Sequence, residues 1–472
     1  MSIFEHSKQT KNISMGKVSL AKGTRDFGIE EMKKRKFIFN TIEKVFQLYG
    51  FHAIETPALE NIETLTGKYG DEGDQLLFKI LDSGDFWGNV NKSFGESTSI
   101  GSLTSKKTLP ILASRGLRYD LTVPFARYVS MNRHLVKFPF RRYQMQPVWR
   151  ADRPQKGRYR EFWQCDADII GTDSLTSEAD LVAIFHRAFE KLGIQGYVIH
   201  LNNRKVLEGV AEVIGAPDKF SQFTVALDKF DKIGKEGVLN EFKERGFADT
   251  QIQIAEQFLI SSALSTESIA QWKALLSNST IGLQGLVELE ELLKYLTASG
   301  FSKNVLFDGT LARGLSYYTG CIIEVKVPNS GIGSIAAGGR YDNLTGIFDM
   351  PGISGVGISF GADRIYDLME ALQLFPTGNE ANCKVLFCGM SFEAVSYCIK
   401  VAEMLRSKGV SCKVYPEPSK LKKQLDYANA EQIQSVAIVG ENEMLENQIT
   451  LKNLLSGNQQ TLSIDEFINT VK

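Results

Sequence analysis

The sequence predicts an α+β domain built on antiparallel strands, interrupted by a helical insertion and followed by a smaller α/β domain. Three observations predict it. Two stretches rich in aromatic and β-branched residues, Phe140–Trp149 and Phe162–Ile170, flank a turn-rich loop, as paired antiparallel strands do. Between about 202 and 302 the chain becomes rich in Lys, Glu, Gln and Ser with helical periodicity. From about 381 onward, strand-like and helix-like runs alternate, which implies a small, largely parallel sheet. The expected layout is a flexible tail over 1–17, a first domain over 18–201 and 303–375, the insertion over 202–302, and a last domain over 381–472. A chain of 472 residues is too long for one ordinary core, in keeping with this division.

Each element has its own signal. Ile38, Ile42, Val45, Phe46 and Tyr49 recur at helical spacing, and Gly50 stands where that helix would stop. The stretch Phe51–Pro57 reads as a strand ended by its proline. Leu181, Ile184, Phe185, Ala188, Phe189 and Leu192 make one apolar stripe closed by Gly193, with Ser177 and Asp180 as a candidate capping box. In the insertion, 252–260 and 283–296 carry the clearest helical patterns. The strand-and-glycine pattern returns from Val305 to about Leu374, and Pro376 opens a linker. The last domain reads as a strand over 385–390, a helix over 394–408, and a strand over 410–415. A helix over 421–430 and a strand over 435–439 follow.

Composition excludes several classes of function. A net charge of −1 means that any nucleic-acid contact rests on local basic patches. Cys165, Cys321, Cys383, Cys388, Cys398 and Cys412 form no C-x-x-C pair and have no histidine at zinc-like spacing, so they read as reduced thiols. The five histidines are scattered, and no catalytic pair is visible. No run is long and apolar enough to span a membrane. The first residues have neither the apolar core of a secretory leader nor the arginines of a transit peptide, and a cytoplasmic protein is expected.

The chemistry concentrates in Arg141–Asp168, where a loop between two strand-like arms carries Arg150, Arg153, Lys156, Arg158 and Arg160. Planar guanidinium forks bind phosphate oxygens bidentately, so this density suits a polyphosphate; a solvated basic hairpin is the plain alternative. Two further regions favour the ligand. Leu311–Gly320 sets Arg313 beside a glycine and the pair Tyr317 and Tyr318, and 336–342 with 355–364 adds glycine-rich strand ends and Arg364. Glycines let backbone approach a ligand closely. None of these stretches matches a P-loop or dinucleotide fingerprint.

Taken together, these segments resemble the histidyl-tRNA synthetase family over roughly 21–472. The arginine hairpin is similar to motif 2 of class II synthetases, 355–364 to motif 3, and 51–57 to the dimer-forming motif 1. Arg118–Pro124, 311–318 and 338–342 resemble segments that set the histidine enzyme apart. The resemblance implies a class II synthetase-like antiparallel sheet flanked by helices, a C-terminal anticodon-binding domain, and a homodimer. Its substrates would be L-histidine, ATP with Mg2+ on its phosphates, and tRNA(His), with no resident metal. It implies that Arg150 holds the ATP α-phosphate, that Asp152 meets the adenine amino group where a longer glutamate is usual, and that Phe162 stacks on adenine with Arg364 on the far side. Asp120, Thr122 and Gln164 would hold the histidine α-amine, with Leu121 also in the histidine site, while Asp168 and Tyr318 read the imidazole with Tyr317 nearby. Arg313 would touch both the α-phosphate and the histidine carboxylate. The aspartates at 120 and 168 resemble a eukaryote-like branch.

These roles make physical sense. A carboxylate must attack a phosphate, both anionic, so the task is alignment and charge neutralisation, with no general base required. Two other readings compete: a non-catalytic synthetase-like regulator or uncharged-tRNA sensor, and an RNA-binding protein without catalysis. The first tends to lose the phosphate arginines, which are present here. The second lacks its expected basic balance.

Overall fold

The computed structural model describes residues 18–95, 104–312, 317–376 and 383–472; the 1–17 tail, Arg313 and most of the linker after Pro376 lie outside them. The chain divides into two compact units, one ending at Phe375 and one starting at Pro376.

The first unit is organised by a nine-stranded sheet. Its spatial order is His52–Ala53, Phe140–Trp149, Glu161–Ile170, Gly355–Gly361, Ala336–Tyr341, Cys321–Lys326, Val198–Asn203, Val305–Asp308, Ser261–Ala263. Pairing is antiparallel except at two places. His52–Ala53 runs parallel to its neighbour, and Val198–Asn203 runs parallel to Val305–Asp308. The Phe140–Trp149 and Glu161–Ile170 arms pair over their whole length, from Phe140↔Ile170 to Trp149↔Glu161. The strand expected over 51–57 is only two residues long, because Pro57 and the turn toward the separate three-stranded sheet of Leu59–Asn61, Arg115–Leu117 and Lys79–Ile80 cut it short.

Strand alternation decides what each face of the sheet does. Along Glu161–Ile170, Cys165, Ala167 and Ile169 belong to the apolar core, while Phe162, Gln164, Asp166 and Asp168 line a cavity on the other face. The helices Ile29–Leu48 and Thr176–Lys191 cover the apolar face. Phe46, Phe185 and Phe189 from these helices meet Phe360 at 5.9, 5.0 and 5.5 Å between ring centroids. Tyr49 caps the first helix and Gly50 follows with φ of 74°, the left-handed turn that a glycine accepts without strain. The second helix differs from expectation at its start. Leu175 is its N-cap, and Ser177 is buried in the first turn, so the Ser177–Asp180 capping box does not form.

The stretch between Asn203 and Val305 is mainly helical, from Arg204–Val213 to Thr280–Ser299, and it also supplies the edge strand Ser261–Ala263. Helix over 252–260 is shorter than expected: it ends at Ala255, gives way to one 3-10 turn, and leads into that strand.

The second unit has a five-stranded sheet ordered Cys412–Val414, Val385–Gly389, Ser435–Val439, Gln448–Asn453, Gln459–Ser463. The first three strands are parallel, as the alternation predicts. The last two form an antiparallel hairpin, and the helix Ile464–Val471 follows. Sequence reading missed this hairpin because Gln448–Ser463 mixes polar residues with scattered leucines, without the β-branched run that marks a strand. All six cysteines of the chain are buried.

Candidate active site

A cavity of about 380 Å³ opens on the polar face of the large sheet, within the usual range for small-molecule sites. Its walls come from the Phe140–Ile170 hairpin, the segment before the helix Thr122–Met131, and the glycine-rich strands Ala336–Tyr341 and Gly355–Gly361. Those glycines are required sterically. A Cβ on Gly357 would lie 1.9 Å from Asp168 Oδ1, and one on Gly339 would lie 2.6 Å from the Tyr318 ring. Side chains thus lie flat across neighbouring strands and form a floor.

Part of the cavity wall is cationic and aromatic. Arg150 donates through Nε to the Tyr119 carbonyl at 3.1 Å, and its guanidinium lies 4.2 Å from the Tyr119 ring and 5.2 Å from the Phe162 ring. This fixes the stem and leaves the terminal nitrogens toward the cavity. Arg364 donates to the carbonyls of Gly157 and Ser334 at 2.8 and 2.7 Å, tying the hairpin loop to the glycine-rich strands. Asp152 is buried, 3.4 Å from Arg158 Nε. The basic loop is thereby sorted: Arg150 and Arg158 line the cavity, while Arg153 and Lys156 are exposed.

The wall also carries buried carboxylates. Asp120 accepts from Tyr69 and from the Val123 amide at 3.1 Å each, and from Tyr317 at 3.4 Å. Burial raises its pKa, and these donors oppose the rise. Asp168 lies 2.7 Å from Arg142 Nη2 and accepts from Tyr341 at 2.5 Å. Burial lifts its pKa too, with Arg142 pulling the other way. Two residues before Asp168 on the same strand face, Asp166 is pushed up to about 7 by burial, with the Asp168 and Asp120 charges adding to the rise and Arg142 and a Ser359 hydrogen bond opposing it.

Of the site residues expected from sequence, the structure brings Asp120, Thr122, Arg150, Asp152, Phe162, Gln164, Asp168, Tyr317, Tyr318 and Arg364 to this one cavity. Leu121 is different: its side chain is fully buried away from the cavity wall, and its carbonyl faces Arg142 at 3.5 Å. Arg313 lies outside the described residues. Sequence reading missed Tyr69, Arg142, Asp166 and Tyr341. Alternation with Gln164 and Asp168 would have found Asp166, whereas Tyr69 reaches Asp120 only through tertiary folding.

Among the described residues no group of three His, Cys, Asp or Glu side chains is placed to hold a metal ion. No helix among them is long and apolar enough to cross a membrane.

Comparison with known proteins supplies the family. Residues 113–365 match the model of the histidyl-tRNA synthetase family, and 382–472 match an anticodon binding domain. The chain is 50% identical over 456 residues to a histidine–tRNA ligase of Phocaeicola vulgatus, covering 97% of this chain and 99% of that one. It is 49% identical to that of Cytophaga hutchinsonii, over 96% and 99%. Among solved structures, histidyl-tRNA synthetase from Nostoc sp. PCC 7120 superposes with a TM-score of 0.77 at 28% identity, covering 96% of this chain and 98% of that one. An ATP phosphoribosyltransferase regulatory subunit/histidyl-tRNA synthetase from Bacillus halodurans superposes at 0.69 with 23% identity, a likeness of fold alone. The similar relatives are bacterial, which gives no support to the eukaryote-like branch read from Asp120 and Asp168. Two near-full-length relatives at about half identity, a family model covering the whole cavity-bearing hairpin, and the shared fold agree, and this chain belongs to the histidyl-tRNA synthetase family.

Proposed function

We propose that this cavity joins L-histidine to AMP at the expense of ATP, and that the chain then transfers the histidine to the 3′ end of tRNA(His). The observation that carries the reading is the make-up of the cavity wall: arginines and an aromatic ring together with buried carboxylates. That is the charge pattern of a nucleotide lying beside a zwitterionic amino acid with a basic side chain.

In the first step a histidine carboxylate oxygen bonds to the α-phosphorus, the bond to the β-phosphate oxygen breaks, and pyrophosphate leaves with that electron pair. Arg150 meets the charge growing on the α-phosphate oxygens. Phe162 and Arg364 hold the adenine between them, and Asp152 takes its amino group. Arg313, through its family resemblance, is assigned to the histidine carboxylate and the same phosphate. Asp120, Thr122 and Gln164 face the α-amine, and Asp168 with Tyr318 and Tyr317 faces the imidazole. Selectivity follows because a ring without the N–H donor would leave a buried carboxylate unpaired. In the second step the terminal ribose hydroxyl of tRNA attacks the acyl carbon, AMP departs, and the hydroxyl proton is lost to solvent.

Asp228 and Glu324 give the cavity the hard oxygen donors that Mg2+ takes, and the ion would neutralise the outer phosphates when bound. We place the enzyme in the cytoplasm with its tRNA. Histidine-dependent exchange of radiolabelled pyrophosphate into ATP tests the reading; a pure, folded chain with no exchange would leave a regulator or sensor.

The second unit is assigned to the anticodon arm. A chain ending at Pro376 is expected to keep most pyrophosphate exchange while tRNA charging falls at least about tenfold, as loss of a whole contact surface implies. Charging by the truncated chain at the full-length rate would remove the assignment. In that unit Lys413 and Lys423, which could meet tRNA phosphates, sit in surface ion pairs with Glu431 and Glu417 at 2.6 and 2.7 Å. Such pairs are worth little and exchange readily for a phosphate. The resemblance to motif 1 around Pro57 implies a homodimer, so sedimentation should give one species near twice the 52.6 kDa chain mass. An active monomer would refute it.

A further inference from the structure

The loop 150–160 carries arginines assigned to ATP, yet it lies beyond the last register pair of its two strands, Trp149↔Glu161. Outside the ladder its backbone groups need other partners. Some are its own: the Arg150 amide donates to the Arg160 carbonyl at 2.9 Å, and Gln155 and Arg158 form one isolated bridge. A segment far away in sequence, Gly23–Phe27, supplies more. The Arg160 amide donates to the Gly23 carbonyl at 2.9 Å. Gly23 has φ of 88°, and a Cβ there would lie 2.8 Å from Arg160 Cγ and 2.9 Å from Pro154 Cγ. Glycine is what lets this backbone lie so close to the loop.

Arg25 makes a second attachment. Its guanidinium lies 3.4 Å from the centroid of the Tyr159 ring, within cation–π range. Its Nη2 donates to Asp363 Oδ1 at 2.5 Å and its Nη1 to Asp367 Oδ1 at 3.4 Å. Tyr159 closes the circuit by donating its hydroxyl to Asp367 Oδ2 at 2.7 Å. Burial, and then this bond, push that hydroxyl up to about 12, so it stays a donor at neutral pH. Asp363 and Asp367 stand on the helix Ala362–Ala371, which also carries Arg364. One guanidinium thus joins the loop of Arg150 to the helix of Arg364, and both Tyr159 and Asp363 line the cavity.

Building on the proposed function, we propose that Gly23–Phe27 is a strap that holds the loop 150–160 in its ATP-accepting shape, with Arg25 as a positioning residue that acts through Tyr159. The fold does not depend on this contact. Without Arg25, Asp363 keeps Arg35 at 2.6 Å and the Trp163 amide at 2.7 Å, and Asp367 keeps the Tyr159 hydroxyl. Neither carboxylate is left buried and unpaired. The Arg25 side chain is 24% exposed, so its removal opens no closed cavity. The strap contacts named here fall on the loop and on the helix of Arg364. The defect therefore belongs to ATP and leaves the groups that face histidine in place.

Pyrophosphate exchange by the full chain, with ATP and histidine varied in turn, tests the strap. In Arg25→Ala, kcat/KM for ATP should fall about 10- to 100-fold, the cost of about an ångström of misplacement. The KM for histidine should stay within about twofold, since sites without shared partners respond independently. A double-mutant cycle tests the route. Tyr159→Ala should produce the ATP defect by itself, and adding Arg25→Ala should then cost less than about threefold more, because coupled residues are not additive. Arg25→Lys keeps a charge for the two aspartates, and with it the fold, but cannot lay a planar fork on the ring. It should show the same ATP-side defect at smaller size, and it carries the test should Arg25→Ala not fold. Equal rises in both KM values, additive effects in the cycle, or unchanged ATP kinetics in Arg25→Lys each overturn the proposal. A parent chain that exchanges pyrophosphate while its variants give one of these results fails this inference alone. A parent chain that exchanges nothing fails the proposed function, and this inference with it.

Discussion

Arg150→Ala is expected to lower histidine-dependent pyrophosphate exchange by about 100- to 1000-fold, the usual loss when one preorganised group on a developing oxyanion is removed. The Arg150 stem is held by the Tyr119 carbonyl and by two aromatic rings, so its charge is in place before substrate arrives. Preorganisation of this kind assists the transition state more than the ground state, and the loss should appear mainly in kcat. The side chain is only half-buried and pairs with no buried carboxylate, so the variant should fold and melt close to the parent. Exchange within tenfold of the parent would take Arg150 off the reacting phosphate.

Arg340→Ala should instead act on stability, by about 3–5 kcal/mol, the range for breaking a buried ion pair from one side. Arg340 and Glu178 are almost wholly buried, and two parallel contacts of 2.6 Å join them. The same guanidinium donates to Ser354 Oγ at 2.6 Å and to the Thr172 carbonyl at 3.0 Å. It therefore fastens the helix Thr176–Lys191 to the strand Ala336–Tyr341 and to the turn before Gly355. Burial already raises the Glu178 pKa despite the arginine. Without its partner, Glu178 takes up a proton, so the deficit should shrink as pH falls. Denaturant melts of the first unit at pH 8 and pH 5 check both the size and this trend. A deficit below about 1 kcal/mol at pH 8 would show the pair to be replaceable.

How far the sequence carried depends on the range of each interaction. The hairpin arms Phe140–Trp149 and Glu161–Ile170 were legible because period-2 alternation and turn residues are local signals. The site residues on them came with the strand. The capping of Thr176–Lys191 was not legible, since Ser177 is drawn into the core by tertiary packing that overrides its capping preference. Arg142 carried no signal of its own in the sequence, yet it is completely buried beside Asp168, and only the cross-strand pairing with residue 168 makes that visible. Tyr69 and Tyr341 reach the cavity from 51 residues before Asp120 and 173 after Asp168, separations at which no sequence period operates.

The parallel pairing of Val198–Asn203 with Val305–Asp308 sets a rule for editing this chain. A parallel neighbour starts at the end of the sheet opposite to where its predecessor finishes, so the chain has to travel back along the full strand length, and a tight turn cannot make that journey. The helices between Arg204 and Ser299 are therefore the return path as well as an added lobe. Any shortened version has to keep a crossover of a dozen residues or more. It also has to shield the outer edge of Val305–Asp308, which Ser261–Ala263 now occupies, because a bare strand edge is a template for pairing with other chains.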